Sequence, residues 1–187
     1  IENLPQEYKD ETDFETVFVD LDIKPLPALT AWLTGESYHV KRFINQQMKN
    51  KLAEILKKEE FDIVQMESIF LTPYVPLVRK LSKAKVVLRS PNVENMIWKR
   101  TYKATKNPLK RYYLKHLALT LEYYEKENIN QYDAIFPVTD VDANYFIENG
   151  YRKLCKAVAV GIETPEFIPD VLEEENSIFH IGSMNWF

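Results

Sequence analysis

Residues 84–98, AKVVLRSPNVENMIW, indicate how this chain is expected to fold. Residues 85–88 lack a polar face, which is typical of a strand buried on both sides of a sheet. Polar residues follow at Ser90 and Asn92, and apolar residues then recur at helical spacing. Because a short buried strand leads through a polar turn directly into a helix, the stretch predicts one unit of a parallel α/β sheet.

The same alternation of strand and helix extends along the chain in both directions. Further strands are predicted at residues 16–23, 62–67 and 134–139, with another apolar run at residues 156–160. Helices are predicted at residues 38–58, 74–82, 92–132 with an interruption at Asn107-Pro108, and 140–148. The pattern predicts an open, doubly wound, mostly parallel sheet in a Rossmann-like α/β domain.

The domain organisation follows from where this alternation stops. Residues 1–163 are expected to form the Rossmann-like domain, and residues 164–176, which are rich in proline and acidic side chains, a linker. Residues 177–187 are expected to begin a further domain with one strand. The chain starts at Ile1 and not at a methionine, so we expect the fold to be truncated at both ends.

Composition excludes several classes of function. The 187 residues carry a net charge of -4 and only four glycines, and no two of these glycines lie near each other. P-loops and dinucleotide-binding turns need clustered glycines, so nucleotide binding by those loops is excluded. A single cysteine and three scattered histidines exclude an intrachain disulfide and a structural zinc site. With no membrane-spanning apolar run and no signal peptide, a cytoplasmic location is expected.

Polar side chains collect where the predicted strands end. Ligands of open α/β sheets bind beyond the carboxyl ends of the strands. Carboxylates, amides and hydroxyls suit a ligand rich in hydroxyl groups, such as a sugar, but the same residue types cap helices, as Asn92 and Asp140 would do here. Both interpretations stay open, and no nucleophile with an attendant base can be assembled. The candidate ligand-binding residues are Glu67, Ser90, Asn92, Glu94, Thr139 and Asp140.

A basic segment follows the central strand. Between Glu94 and Glu122 the chain has no acidic residue, and aromatic residues alternate with the cations Lys99, Arg100, Lys103, Lys110 and Arg111. This mixture suits the surface of an anionic membrane, and it also suits nucleic acid, which the negative net charge of the chain disfavours. A third interpretation is a solvated helix face, and the segment alone does not distinguish among these three interpretations.

Taken as an ordered set, several stretches resemble the family 4 glycosyltransferases, which have the two-domain GT-B fold. Residues 61–74, FDIVQMESIFLTPY, are similar to the family's DVVH.E....PY region. Residues 86–98, VVLRSPNVENMIW, resemble the LRTHNVEH.IW.R signature of a bacterial subgroup. Residues 133–139 and 158–163 are similar to the family's D.V...S strand and V.PNGVD turn, and residues 178–186, IFHIGSMNW, to the F.GS..W.PN start of the donor domain.

The resemblance implies that the chain is the acceptor-binding N-terminal portion of a retaining glycosyltransferase of the hexosyltransferase type. Such an enzyme transfers a sugar from a nucleotide-sugar donor to a glycan or lipid-linked acceptor in cell-surface polysaccharide synthesis. The six strand-end residues would contact the acceptor, and Gly182 and Ser183 would begin the donor side. It also implies that no metal or cofactor is needed beside the nucleotide sugar, and that this portion is inactive by itself.

Two further expectations and one departure accompany the resemblance. The enzyme would lie at the inner face of the cytoplasmic membrane, and apolar surface left by a missing domain would favour self-association. Pro91 stands where the subgroup has histidine, so that side chain's role is vacant or taken by Asn92. The alternative function is a non-enzymatic, flavodoxin-like binding or regulatory domain, for which Asp20 and Asp22 are the only acidic candidates at a first strand's end.

Overall fold

The computed structural model describes Thr12 and residues 14–161. It contains a four-stranded sheet in which every pairing is parallel, so the predicted parallel α/β fold is confirmed. The strands lie side by side in chain order, and the reversal of order that defines a doubly wound sheet does not occur among the described strands. They are β1 (Ile63–Met66), β2 (Lys85–Ser90), β3 (Ala134–Pro137) and β4 (Leu154–Cys155).

Seven helices flank the described strands. Those before β1 are α1 (Pro25–Thr34), α2 (Tyr38–Lys41) and α3 (Gln46–Lys58). A 3-10 turn (Ile69–Tyr74) and α4 (Val75–Leu81) join β1 to β2, and α7 (Asp140–Glu148) joins β3 to β4. The connection from β2 to β3 consists of α5 (Glu94–Ala104), α6 (Pro108–Asn128) and a 3-10 turn (Ile129–Gln131).

The interruption predicted at Asn107-Pro108 is confirmed. Asn107 caps α6, with its side-chain oxygen accepting a hydrogen bond from the Lys110 amide at 3.0 Å. Proline at the first helical position needs no backbone partner for its nitrogen, so this pair starts a new helix instead of continuing α5.

The single helix predicted over residues 38–58 is wrong, because it is broken into α2 and α3. Asn45 caps α3 by accepting hydrogen bonds from the Gln47 and Met48 amides at 2.7 and 3.1 Å. The Tyr74 hydroxyl, from a distant part of the chain, accepts from the Asn45 amide at 2.9 Å and donates to the Phe43 carbonyl at 2.6 Å. A tertiary contact therefore holds the break open, which helical periodicity alone does not reveal.

The strand predicted at residues 16–23 is also wrong. Residues 14–24 have no regular structure, and Phe18 and Ile23 are exposed. A strand needs a partner, and none of the described strands pairs with this segment. Pro25 does not merely end an extended segment, because it occupies the first turn of α1, a helix that the sequence pattern missed.

The last strand begins two residues before the apolar run noted at residues 156–160. The strand is β4, at Leu154–Cys155, and residues 156–160 have no regular structure. They still follow β3, since the Val158 amide donates to the Pro137 carbonyl at 2.7 Å. The predicted linker, residues 164–176, and the further domain, residues 177–187, lie outside the described residues.

The apolar side chains form two separate clusters. The larger, here called the sheet body, joins β1–β4 to α3, α4, the second half of α6 and α7. The smaller, here called the helical lobe, joins α1 and α2 to the end of α5 and the first half of α6. Helix α6 contributes to both clusters, as does α5 through Met96 and Trp98, so these two helices connect the two regions.

Candidate functional site

The carboxyl ends of β1, β2 and β3 meet at one edge of the sheet, because the strands are parallel. Met66 pairs with Leu88, and Ser90 pairs with Pro137, so the residues that follow each strand lie at neighbouring positions. The six predicted ligand-binding residues all fall on these strand ends or on the first helical turn after them. We call this region the strand-end edge.

Glu67 forms an ion pair at the strand-end edge. Its carboxylate lies 2.8 Å from the Arg89 guanidinium, and the Gln65 amide group also donates to it. Arg89 holds the pKa of Glu67 below its ordinary value. Glu67 is therefore a charged hydrogen-bond acceptor with a cation beside it, and Arg89 is a candidate ligand contact that sequence reasoning missed.

Ser90 and Asn92 form a tight turn after β2. The buried Ser90 hydroxyl donates to the Asn92 carbonyl at 2.7 Å, so it holds the turn and does not face solvent. The Asn92 side chain is exposed and caps no helix, since Val93 is the residue before α5 and makes no side-chain cap. The capping interpretation of Asn92 is thus wrong, and its amide is presented to solvent.

Glu94 begins α5 and is half-buried. Burial raises the pKa of its carboxyl group above the ordinary value. Two carboxyl groups at the strand-end edge therefore differ in character, because Glu67 is stabilised as an anion and Glu94 is not. A ligand with hydroxyl groups can use both, one as a charged acceptor and the other as an acid that holds its proton more readily.

A buried polar network that the sequence did not predict lies next to Glu94. Asn95 is fully buried, and its backbone amide donates to the Glu125 carboxylate at 3.2 Å. Its side-chain nitrogen contacts the same carboxylate and the Tyr145 hydroxyl, the latter at 2.7 Å. Burial raises the pKa of Glu125 to about 7. The network joins α5, α6 and α7, so it fixes the helices that carry the strand-end edge.

Thr139 and Asp140 are exposed and begin α7. The Thr139 hydroxyl oxygen accepts from the Asp142 amide at 3.1 Å and donates to the Asp142 carboxylate at 2.9 Å. Thr139, and not Asp140, is thus the cap of this helix, and Asp140 occupies its first turn. Because the Thr139 hydroxyl already bonds to Asp142, it can form fewer hydrogen bonds with a ligand than the Asp140 carboxylate can.

An aromatic cluster packs between the helical lobe and the sheet body. The His39 ring lies 4.0 Å from the Trp98 ring and 6.4 Å from the Phe70 ring, measured between centroids. Burial, aided by nearby Arg42, lowers the pKa of His39 to about 4, so the ring is neutral near pH 7. Its Nε2 atom is buried without a hydrogen-bond partner in the described part of the chain.

The basic segment separates into two groups. Lys99, predicted to face a membrane, is mostly buried and lies 2.8 Å from the Glu122 carboxylate. That prediction is corrected, because the ammonium group is engaged in an ion pair within the chain. Arg100, Lys103, Lys110 and Arg111 are exposed.

The remaining observations concern metal binding, membrane-spanning helices, the donor side and the surface grooves. Across Thr12 and residues 14–161, no three metal-ligating side chains cluster, and no helix is both long and apolar enough to span a bilayer. Gly182 and Ser183 lie outside the described residues. The strand-end residues line none of the three surface grooves formed near Pro25, Gly35 and Pro108.

Comparisons of the chain with protein-family models, with curated proteins and with solved structures found no match. The class that the fold defines is an α/β protein with a four-stranded parallel sheet, consistent with a Rossmann-like fold, and with charged and polar groups at the carboxyl edge of that sheet. A more particular assignment depends on the chemistry of that edge.

Proposed function

We propose that this chain provides the acceptor-binding part of a retaining glycosyltransferase, which transfers a hexose from a nucleotide sugar to a glycan or lipid-linked acceptor. The observation that carries the proposal is the strand-end edge. At the carboxyl ends of neighbouring strands it presents an ion-paired carboxylate and guanidinium, an exposed amide and a carboxyl group with a raised pKa. These are the group types that bind neighbouring hydroxyls of a sugar.

Each group has a distinct part in this proposal. Glu67 accepts hydrogen bonds from sugar hydroxyls, and Arg89, held by Glu67, donates to their oxygens. The exposed Asn92 amide does both, at the position beside Pro91. Burial raises the pKa of Glu94, so its carboxyl group holds a proton more readily than an exposed one does, and Asp140 borders the site from the next strand. Ser90 shapes the turn, and Thr139 starts the helix that carries Asp140.

The proposal assigns the nucleotide-sugar site to a second domain, for which the resemblance of residues 178–186 is the support. Chemistry at the donor needs a carboxylate and cations around a diphosphate. We therefore propose no catalytic residue within the described part of the chain. The 187-residue chain by itself is expected to bind acceptor sugars but not to turn over a nucleotide sugar.

The test is a titration of the isotope-labelled chain with glucose, galactose, mannose and N-acetylglucosamine, followed by amide chemical shifts. At least one sugar is expected to shift the amides near Glu67, Asn92 and Glu94. Glu67→Gln is expected to weaken that binding about tenfold or more, as the loss of a hydrogen bond to a charged group does, and Asn92→Ala about two- to tenfold, as the loss of a neutral one does. Glu60→Gln, an exposed glutamate before β1, is the matched control and is expected to change nothing.

Two results would contradict the proposal. One is an absence of shifts at the strand-end edge with all four sugars. The other is a set of shifts that Glu67→Gln and Glu60→Gln affect equally, because the effect would then reflect net charge and not a site.

The flavodoxin-like alternative has less support from this fold. Its acidic candidates were Asp20 and Asp22, at the end of a strand that does not form. Asp20 instead lies 2.7 Å from the Lys24 ammonium group, in an exposed ion pair. No observation in the described residues favours this second function.

A further inference from the structure

Helix α1 exposes an unusual amount of apolar surface. Its ten residues, PLPALTAWLT, include no charged side chain, and only Ala28 and Ala31 are buried. Leu26 and Leu33 are 72% and 73% exposed, and Leu29 is 48% exposed. A helix that turns its small residues inward and its leucines outward loses the benefit of burying them, so the exposed face indicates a contact with something apolar.

Two grooves meet beside this helix. The first is apolar, has a volume of about 480 Å³, and lies between α1 and the start of α6. The second has a volume of about 400 Å³ and contains Lys103, Arg111 and Lys115. Tyr112 lines both, so the two grooves adjoin and form one amphipathic face, here called the docking face. Its apolar groove is lined by Ile23, Pro25, Ala28, Leu29, Trp32, Tyr112 and Tyr113.

The charge on the docking face has one sign. Lys106, which precedes α6, and Lys110, in its first turn, are also exposed, and Leu109 beside Lys110 is 82% exposed. The sequence has no acid between Glu94 and Glu122, and Glu122 is already paired with Lys99 and Lys126. Two acidic residues precede the apolar groove. Asp20 forms an ion pair with Lys24, and the Asp22 backbone amide donates a hydrogen bond to the Asp20 carboxylate.

The exposed apolar side chains and the cations together indicate which kind of partner the docking face binds. Nucleic acid would neutralise the cations, but it gives exposed leucine and proline side chains nothing apolar to contact. A second copy of the chain in a symmetric pair would bring its own cations against these cations. An anionic bilayer suits both the cations and the apolar side chains of the docking face. Its phosphates attract the lysines and arginine, and its hydrocarbon accommodates the leucines. Tryptophan and tyrosine favour the boundary between these two layers.

We propose that the docking face binds the surface of an anionic lipid bilayer, with the exposed side chains of α1 and Leu109 inserted among the acyl chains. Lys103, Lys110, Arg111 and Lys115 contact the headgroup phosphates. Trp32 and Tyr112 lie at the level where hydrocarbon meets headgroup. The strand-end edge takes no part in this contact, so the binding is independent of the proposed transferase function.

Flotation of the 187-residue chain with lipid vesicles tests the proposal. One set of vesicles is phosphatidylcholine, and the other contains equal parts of phosphatidylcholine and phosphatidylglycerol. The chain is expected to float with the anionic vesicles and much less with the neutral ones. Replacing Lys103, Lys110, Arg111 and Lys115 with glutamine is expected to weaken binding several hundredfold, because each cation near an anionic surface contributes about fivefold.

Two more variants separate the apolar contribution from net charge. Replacing Leu26, Leu29 and Leu33 with glutamine leaves the charge unchanged and is expected to weaken binding about a thousandfold, since each inserted leucine contributes on the order of tenfold. The matched control replaces the exposed Lys57, Lys80, Lys83 and Lys85, which lie outside the docking face, with glutamine. It removes the same charge and is expected to keep most of the binding. Circular dichroism checks that each variant is folded.

Several outcomes would overturn the proposal. The first is wild-type chain that stays unbound with both kinds of vesicle. The second is equal loss of binding in the docking-face variant and the lysine control, which would indicate net charge alone. A third is a chain that ignores vesicles but binds single-stranded RNA through the same cations, and a fourth is a dimer in solution that the leucine variant dissociates.

Discussion

The sheet body and the helical lobe bury their apolar side chains to very different extents. In the sheet body Val86, Leu88 and Ile135 are fully buried, and the Thr72 and Tyr132 hydroxyls contact each other at 2.6 Å. In the lobe, α6 buries Leu114 and Leu117, but α1 buries only Ala28 and Ala31 and exposes its leucines. Stability is thus concentrated in the sheet body, whereas the lobe keeps apolar surface available for contact with another surface.

Helix α6 allows this comparison within one element. Leu121 is fully buried in the second half of the helix, and Leu109 lies at the exposed start. Leu121→Ala is expected to lower the free energy of unfolding by about 2–5 kcal/mol, because it leaves a cavity in a packed core. Leu109→Ala is expected to change it by about 0.5 kcal/mol or less. Urea unfolding measures both, and similar losses would contradict the division of α6 into two halves.

The two regions also differ in how they respond to pH. Glu125 holds its proton in the folded state up to a pKa of about 7, against an ordinary value of 4.5. Between these values the folded chain binds more protons than the unfolded chain, so Glu125 makes stability fall as pH rises. The contribution is about 3 kcal/mol when complete.

Glu125→Gln is therefore expected to gain stability relative to the wild type as pH rises from about 4.5 to 7. Glutamine keeps an acceptor for the Asn95 amide and carries no charge to bury. Urea unfolding of both proteins across this range measures the difference. A constant difference would show that Glu125 titrates normally and that Glu94 and Glu122, the neighbouring carboxyl groups, do not raise its pKa.

His39 acts in the opposite direction at the boundary of the lobe. Its pKa falls to about 4 from an ordinary value of 6.5 through burial, so the unfolded chain binds more protons between these values. His39 therefore makes stability rise with pH in that window. His39→Phe keeps a ring against Trp98, and its stability relative to the wild type is expected to increase by about 3 kcal/mol as pH falls from 6.5 to 4.

The two effects overlap between about pH 4.5 and 6.5 and oppose each other in the wild type. Each single variant should therefore reveal the slope that the other residue causes, and the double variant should remove both. Urea unfolding of the three variants across this pH range measures these slopes. If the single variants show slopes of the same sign, the assignment of one of the two pKa shifts is wrong.

The strand-end residues illustrate what could be predicted about the site. Their position at one edge was predictable, because the carboxyl ends of parallel strands share an edge. Their individual roles were not, because a role depends on partners that lie far away in sequence. Arg89 pairs with Glu67 across two strands, and the Ser90 hydroxyl turns inward to a carbonyl. The buried Asn95 and Glu125 are 30 residues apart, and no local pattern marks them as partners.

The errors in the fold have a related cause. Residues 16–23 alternate as a strand does, but alternation describes only which side chains are apolar and does not supply a pairing partner. Residues 38–58 have helical spacing throughout, yet the Tyr74 hydroxyl takes the Asn45 amide that a continuous helix would use. Both segments lie before β1, where the chain packs against distant elements instead of repeating a strand and helix unit.

The parallel α/β class, the buried strands β2 and β3, and the start of α6 could all be predicted from the amino-acid sequence. Those features depend on local causes, namely apolar periodicity, helix capping and the fixed geometry of proline. The outward leucines of α1, the pairing of Lys99 with Glu122 and the two grooves that adjoin at Tyr112 depend on tertiary packing. Whether a side chain is buried, paired or exposed depends on which distant elements pack against it.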